Sequence, residues 1–336
     1  MTDSPPQEGQ APAYNVSLLV LWREPLVCVS YLRKTSKTAF GVAAAIAKGR
    51  PFHILAPPQW RMRDQLDEAL DLKAWLASQH PNATLTIMPA TEADAAMVRA
   101  AGLNAVWASH TALVDERAFY VEPDVAKIYD AVHTANTRAW KRHELAYGVP
   151  DLALITYTWD DRGLAHDELA RNYRSLSYIN YSERDGPINL DAAGVRGVLG
   201  RARCGLVLSA LEGANNASME YFLCGLPLVT TPSEGGREEM YDPRHVTIVE
   251  PTAEAVEAAV AAYRMSAPDP FEIRASALAK ARAHRARLLA WLSEVVGRDL
   301  AAAADGNLWL PQFRNKLSTF WWVQPRPDGG INAWPA

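Results

Sequence analysis

The sequence predicts an α/β protein with largely parallel sheets, arranged as two doubly wound units. From Tyr14 onward, short β-branched or apolar runs alternate with longer stretches whose apolar residues recur at i, i+3 and i+4. The rhythm breaks once, at residues 110–125 ("HTALVDERAFYVEPDV"), where turn residues and a proline separate two series. A chain of 336 residues, 49% of them apolar, can bury the cores of two such units.

In the first series, strands are predicted at "VSLLVL", "FHILA", "TLTIM" and "NAVWAS", with helices between them at "KTAFGVAAAIAKG", "MRDQLDEALDLKAWLASQ" and "TEADAAMVRAAG". The second series reads as strand "KIYDAVHTA", a helix from Trp140, strand "LALITYT", helix "HDELARNY", strand "LSYIN", helix "LDAAGVRGVLGRA" and strand "GLVLSA". A short helix within "EGANNASMEYFLCGLP", strands "PLVTT" and "VTIVE", helix "TAEAVEAAVAAYRM" and a long helix from Phe271 to about Val296 complete it. The expected domains are therefore residues 14–115 and 116–298. Residues 1–13 are polar and proline-rich, the composition of a disordered tail, and the Trp-rich residues 299–336 are expected to pack back on the body or to form an oligomer contact.

Composition removes several function classes. With 34 basic and 38 acidic residues the net charge is −4, so no global basic field invites a nucleic acid, and any anion site must be local. Cys28, Cys204 and Cys224 lie in apolar stretches without metal-ligand spacing, as expected of free buried thiols in a cytoplasmic protein. The start carries neither a signal-peptide pattern nor a membrane anchor. On the long helix, Arg274, Lys280, Arg282, Arg285 and Arg287 oppose Ile273, Leu278, Leu288, Leu289 and Leu292. Such a row reads as a solvated face, or as a peripheral contact with the inner face of an anionic membrane.

Ligands of open α/β sheets bind past the carboxyl ends of the strands, where helix N-termini offer N–H groups to anions. Three strand ends of the second series carry unusual residues there. In "HTANTRAWKRHELA", Asn136 and Arg138 leave a strand while Lys141 and Arg142 fall in the predicted first helical turn. Cations at the positive end of a helix dipole call for an anion between them. In "EGANNASMEYFLCGLP", Glu212 and Gly213 form a loop, Asn215 or Asn216 caps a helix with the apolar stripe Met219, Phe222 and Leu223, and Glu220 lies about one turn inside it. Gly225 is expected in a left-handed cap before Pro227. Carboxylates accept bonds from vicinal hydroxyls, so these two glutamates suit a sugar and a ribose, or simply stabilise a helix N-terminus. In "TTPSEGGREEM", Gly235 and Gly236 let backbone amides approach a ligand. The aspartate pair in "TWDDRG", residues 158–163, lacks the flanking strand expected of a metal-binding motif, and no metal site is expected.

Together these residues resemble the nucleotide-sugar half of GT-B glycosyltransferases, most closely the retaining glycosyltransferase family 4. The family pattern is a strand, Glu-Gly, a second Glu, a helix ending in Cys-Gly-x-Pro, and a strand leading to Gly-Gly-x-x-Glu. Here it is carried by Glu212, Gly213, Glu220, Cys224, Gly225, Pro227, Gly235, Gly236 and Glu239, with Glu238 adjacent. The resemblance covers roughly residues 105–262 and implies two Rossmann-like domains facing a cleft, the first one shortened. It also implies transfer of a sugar from a nucleoside diphosphate to an acceptor hydroxyl, a glycan, a lipid-linked or a small molecule, with retention and without a metal or other cofactor.

By the same resemblance Glu212 holds hydroxyls of the donor sugar, Gly213 to Asn216 present backbone amides, Glu220 holds the ribose and Lys141 meets the diphosphate. Replacing Lys141 or Glu212 is expected to abolish transfer while leaving folding normal. The family's arginine five residues before the lysine is Asn136 here, with Arg138 expected to supply part of its charge. The usual Phe-Gly after Glu-Gly is Ala214-Asn215. On the acceptor side His53, His80 and His110 are candidates, His110 because it follows a strand end near the joint. A nucleotide-sugar epimerase and a nucleotide-sugar-binding protein without turnover are the alternatives.

Overall fold

The computed structural model of the chain describes residues 14–33, 36–156, 165–182, 184, 186–266, 268–300, 320–325 and 331–335. The expected tail at residues 1–13 and the "TWDDRG" stretch lie outside them. Two compact units emerge, one of residues up to Leu113 together with those from His284 on, the other Val114–Ala283. The chain thus divides after Leu113 and again inside a helix. Residues 284–298, expected with the second domain, belong with the first because Leu288, Leu289 and Leu292 are buried among Leu19, Leu21, Val27, Val29 and Leu55.

The first unit begins with β1 (Tyr14–Ser17), β2 (Leu19–Arg23) and β3 (Leu26–Val29). It continues with α1 (Ser36–Ala47), β4 (Phe52–Ala56), α2 (Met62–Gln79), β5 (Ala83–Ile87), α3 (Glu92–Ala100) and β6 (Asn104–Ala105). Its sheet runs β2-β3-β4-β5-β6, parallel from β3 to β6 and antiparallel between β2 and β3. Strand β3, absent from the sequence reading, is buried at all four positions, as a central strand covered on both faces must be.

The second unit contains β7 (Tyr129–Thr134), β8 (Leu152–Ile155), α4 (His166–Asn172), β9 (Leu176–Tyr178), β10 (Tyr181–Ser182) and β11 (Gly186–Pro187). Then follow α5 (Ala192–Leu199), β12 (Ala202–Val207), α6 (Asn216–Leu223), β13 (Leu228–Thr230), β14 (Val246–Ile248) and α7 (Ala253–Met265). All pairings in its sheet, ordered β14-β13-β12-β7-β8-β9, are parallel. From β7 the chain winds outward through β8 to β9, then returns to β12 on the other side of β7 and winds outward to β14. The switch point therefore lies between β7 and β12, where an open parallel sheet forms its binding crevice. No helix follows β7: the stretch expected to be helical from Trp140 forms two short 3₁₀ turns, Ala139–Lys141 and His143–Ala146, parted by Arg142 at φ 50°, ψ 52°. A left-handed residue ends any right-handed helix.

Helix α8 (Pro270–Val296) carries the basic row, and four of its five cations turn to backbone carbonyls. In the second unit Arg274 donates to the carbonyls of Glu116, Phe119 and Leu223, and Lys280 to that of Glu239. In the first, buried Arg285 donates to Ala112 O at 2.6 Å, while Arg287 donates to Trp107 O and lies 3.8 Å over its ring. Only Arg282 of the five is exposed. These cations satisfy carbonyls that helices and strands leave unpaired. Among the described residues no helix is long and apolar enough to cross a membrane. The final strands β15 (Phe320–Pro325) and β16 (Ile331–Pro335) form an antiparallel sheet in which β15 pairs with β1. All three cysteines are free and buried, and burial pushes the Cys28 thiol up to about 12.

Candidate functional site

The switch point of the second unit brings together residues that are 71 positions apart in sequence. Lys141 comes from the turn after β7 and Glu212 from the loop after β12, and the lysine Nζ lies 2.5 Å from Glu212 Oε1. Their side chains are only 10% and 16% exposed. Lys141 stands in a 3₁₀ turn rather than at the start of an α-helix of its own, and its charge is met by the carboxylate. Ser209 Oγ donates to the other carboxylate oxygen, and Asn215 hydrogen-bonds the same group. Burial pushes the Glu212 carboxyl up, but the Lys141 ammonium and these bonds outweigh it and hold the group below its usual value.

The loop that carries Glu212 is built from both sides. Tyr221 on α6 lies against Gly205 of β12, where an added Cβ would stand 2.2 Å from its ring, and its hydroxyl accepts from Thr134 N at the end of β7. Helix α6 is thereby pinned across both strands of the switch point. Asn215 caps it, accepting from Ser218 N at 2.7 Å, so Asn216 is its first residue rather than its cap. Met219, Glu220, Phe222 and Leu223 are buried, and Gly225 ends the helix at φ 77° as its left-handed position requires. Glu220, 3% exposed, lies within the helix.

The Gly-Gly turn is part of the same loop system. Glu212 N donates to Glu234 O and Glu234 N to Ala210 O, at 2.9 and 3.1 Å, a short parallel bridge beyond the sheet. Gly235, at φ 122°, passes so close that a Cβ there would lie 2.1 Å from Glu212 O and 3.1 Å from Gly213 N. Gly236, at φ 92°, opens only a short 3₁₀ turn, Arg237–Met240.

Two arginines bind the strand ends here: Arg142, expected with Lys141 to face an anion, and Arg237, for which the sequence suggests no role. Arg142 reaches Leu208 O at 2.5 Å and Thr231 Oγ1, holding the ends of β12 and β13. Arg237, 1% exposed, donates to Ser209 O at 2.8 Å, Thr230 Oγ1 at 2.8 Å and Thr231 O at 2.5 Å. Burial, with the neighbouring Arg237 charge, pushes the Arg142 guanidinium below its usual value. The left-handed backbone of Arg142, unusual for a long side chain, is held by these bonds.

The remaining candidates are spread more widely. Asn136 turns its side chain to Arg138 N and its carbonyl to His143 Nε2 at 2.7 Å, and His143 Nδ1 meets Tyr173 OH at 2.8 Å. Burial, against the Asn136 bond and helped by Lys141, pushes His143 down to about 4, so the imidazole is a neutral strut for the turn. Arg138 is half-buried with its guanidinium 5.5 Å over the Trp140 ring. His53 lies in β4 and His80 ends α2. His110 lies in the first unit, buried in a 3₁₀ turn with its ring edge-on to Tyr31, and burial pushes it down to about 4.

No family model and no curated protein matches the sequence. Solved structures do match the fold. HepE of Anabaena, in complex with UDP and glucose, is 14% identical with a TM-score of 0.54 over 80% of this chain and 77% of its own. Its complex with UDP gives 0.51 at 14% identity, over 80% and 78%. Sucrose-phosphate synthase from Thermosynechococcus elongatus gives 0.51 at 13% identity, over 82% and 74%. The fold is Rossmann-like GT-B. Fold alone assigns no chemistry, which must come from the site.

Proposed function

We propose that the protein is a glycosyltransferase that takes a sugar from a nucleoside-diphosphate sugar to an acceptor hydroxyl, retaining the anomeric configuration and using no metal. The ion pair of Lys141 and Glu212 across the switch point carries this reading, because it sets a cation and a hydrogen-bond acceptor where a diphosphate and its sugar would meet. Lys141, with the backbone amides from Gly213 to Asn216, receives the diphosphate, and Arg138 adds charge at the mouth of the turn. Fixed charges of this kind stabilise a leaving diphosphate without reorganising, the part a metal ion plays elsewhere. Glu212 accepts from hydroxyls of the sugar and Glu220 from the ribose. With the acceptor attacking on the face from which the diphosphate departs, the departing oxygen takes the acceptor's proton and no protein base is needed. HepE was solved with UDP and with glucose, so UDP and UDP-glucose are the first probes.

Two measurements test this reading. Nuclear magnetic resonance of the product should show the donor's anomeric configuration kept; an inverted product would overturn retention. Glu220→Ala should weaken UDP binding on the order of tenfold to a hundredfold, the worth of a hydrogen bond to a charged group. Unchanged affinity in calorimetry would remove the ribose role.

A further inference from the structure

The cation assigned to the diphosphate is already engaged. Lys141 Nζ is 2.5 Å from a carboxylate that is itself held by the Ser209 and Asn215 side chains. Glu212 cannot turn away without losing those bonds, so a phosphate reaching Lys141 meets a fixed negative charge. Where the ammonium turns to the phosphate, the carboxylate loses its partner in a poorly solvated place. Where it serves both, two anions face each other across one cation. Either arrangement opposes a bare nucleoside diphosphate. Vicinal hydroxyls of an attached sugar reverse the balance, because they bring O–H donors to the carboxylate that the ammonium leaves under-satisfied.

Resting on the donor reading above, we infer that Glu212 is a specificity-determining residue: it makes the pocket favour an intact sugar nucleotide over the nucleoside diphosphate left behind by transfer. The same charge then promotes release of that product. The couple between Lys141 and Glu212 makes sugar occupancy a condition for tight diphosphate binding.

The test is calorimetric titration of UDP, ADP and GDP, and of the matching glucose nucleotides, into the full chain and into Glu212→Gln. Glutamine keeps the shape and can still bond Ser209 and Asn215, but carries no charge. The variant should bind the nucleoside diphosphate on the order of tenfold more tightly than the wild type. Its preference for the glucose nucleotide should shrink correspondingly. Glu212→Ala, also uncharged, should shift in the same direction and carries the test if the glutamine variant does not fold. Unchanged or weaker diphosphate binding in a folded variant would overturn the inference while leaving the donor site in place. Absence of binding of every nucleotide by wild type and variants alike would overturn the donor reading, and the inference with it.

Discussion

Replacing Lys141 with alanine is expected to reduce sugar transfer at least a hundredfold, since one preorganised electrostatic donor is worth about 10²–10³ in rate. Folding will not be untouched, contrary to the expectation from sequence. The substitution leaves the Glu212 carboxylate mostly buried with only Ser209 and Asn215 as side-chain partners. Breaking a buried pair from one side costs about 3–5 kcal/mol, and about 3 kcal/mol is expected for this slightly exposed one. The double variant Lys141→Ala with Glu212→Ala should be more stable in urea melts than Lys141→Ala alone, because it removes the orphaned charge. Simple additivity of the two losses would show that the side chains do not interact.

The sign of the pH dependence follows from the Glu212 carboxyl, whose folded value lies below its unfolded one. Its contribution is present above the unfolded carboxylate pKa and is lost as pH falls through the lower folded value. In Lys141→Ala the main force lowering it is gone, and burial favours the neutral acid. The stability gap between wild type and variant should therefore narrow as pH falls from 7 toward 4.

Gly235→Ala should be nearly as damaging, through backbone rather than charge. The residue stands at φ 122°, and an added Cβ would meet Glu212 O at 2.1 Å, an atom fixed by the bridge between Glu212 and Glu234. Neither chain segment can yield without parting the two loops, so a stability loss of about 2–4 kcal/mol is expected, with UDP binding lost as well. Gly49→Ala is the control: it also has positive φ, 79°, but nothing lies within 4 Å of its Cβ. Left-handed strain alone should cost about 1 kcal/mol there. Equal losses at the two positions in thermal melts would mean that the close approach to Glu212 is not real.

Much of this site was legible because local chemistry and tertiary structure agree there. The apolar runs of β7, β12 and β13 mark a parallel sheet, and Asn215 and Gly225 bound α6 by capping preferences that need no neighbours. The sequence suggests that Gly235 lets backbone amides approach a ligand; in the structure its close neighbour is the Glu212 backbone. The failures share a cause. A basic residue beside an apolar stripe looks solvated, whereas Arg285 bonds the Ala112 carbonyl in the 3₁₀ turn of His110 and Arg287 that of Trp107 in the loop before it. Arg142 and Arg237 bind strand ends distant in sequence, which no periodicity reports. The one available signal was the placing of an arginine directly after the Gly-Gly turn, beside two glutamates. Strand β3 escaped notice because only Glu24 and Pro25 part it from β2, too short a break for a pattern read as one strand followed by a helix.

Hydrogen–deuterium exchange with and without UDP tests most directly whether the donor binds at the switch point of the second unit. Adding UDP should slow exchange in residues 134–143, 209–218 and 231–238, the three strand ends that carry Lys141, Glu212 and Gly235. Binding that leaves all three segments unchanged, or that protects other parts of the chain instead, would contradict it.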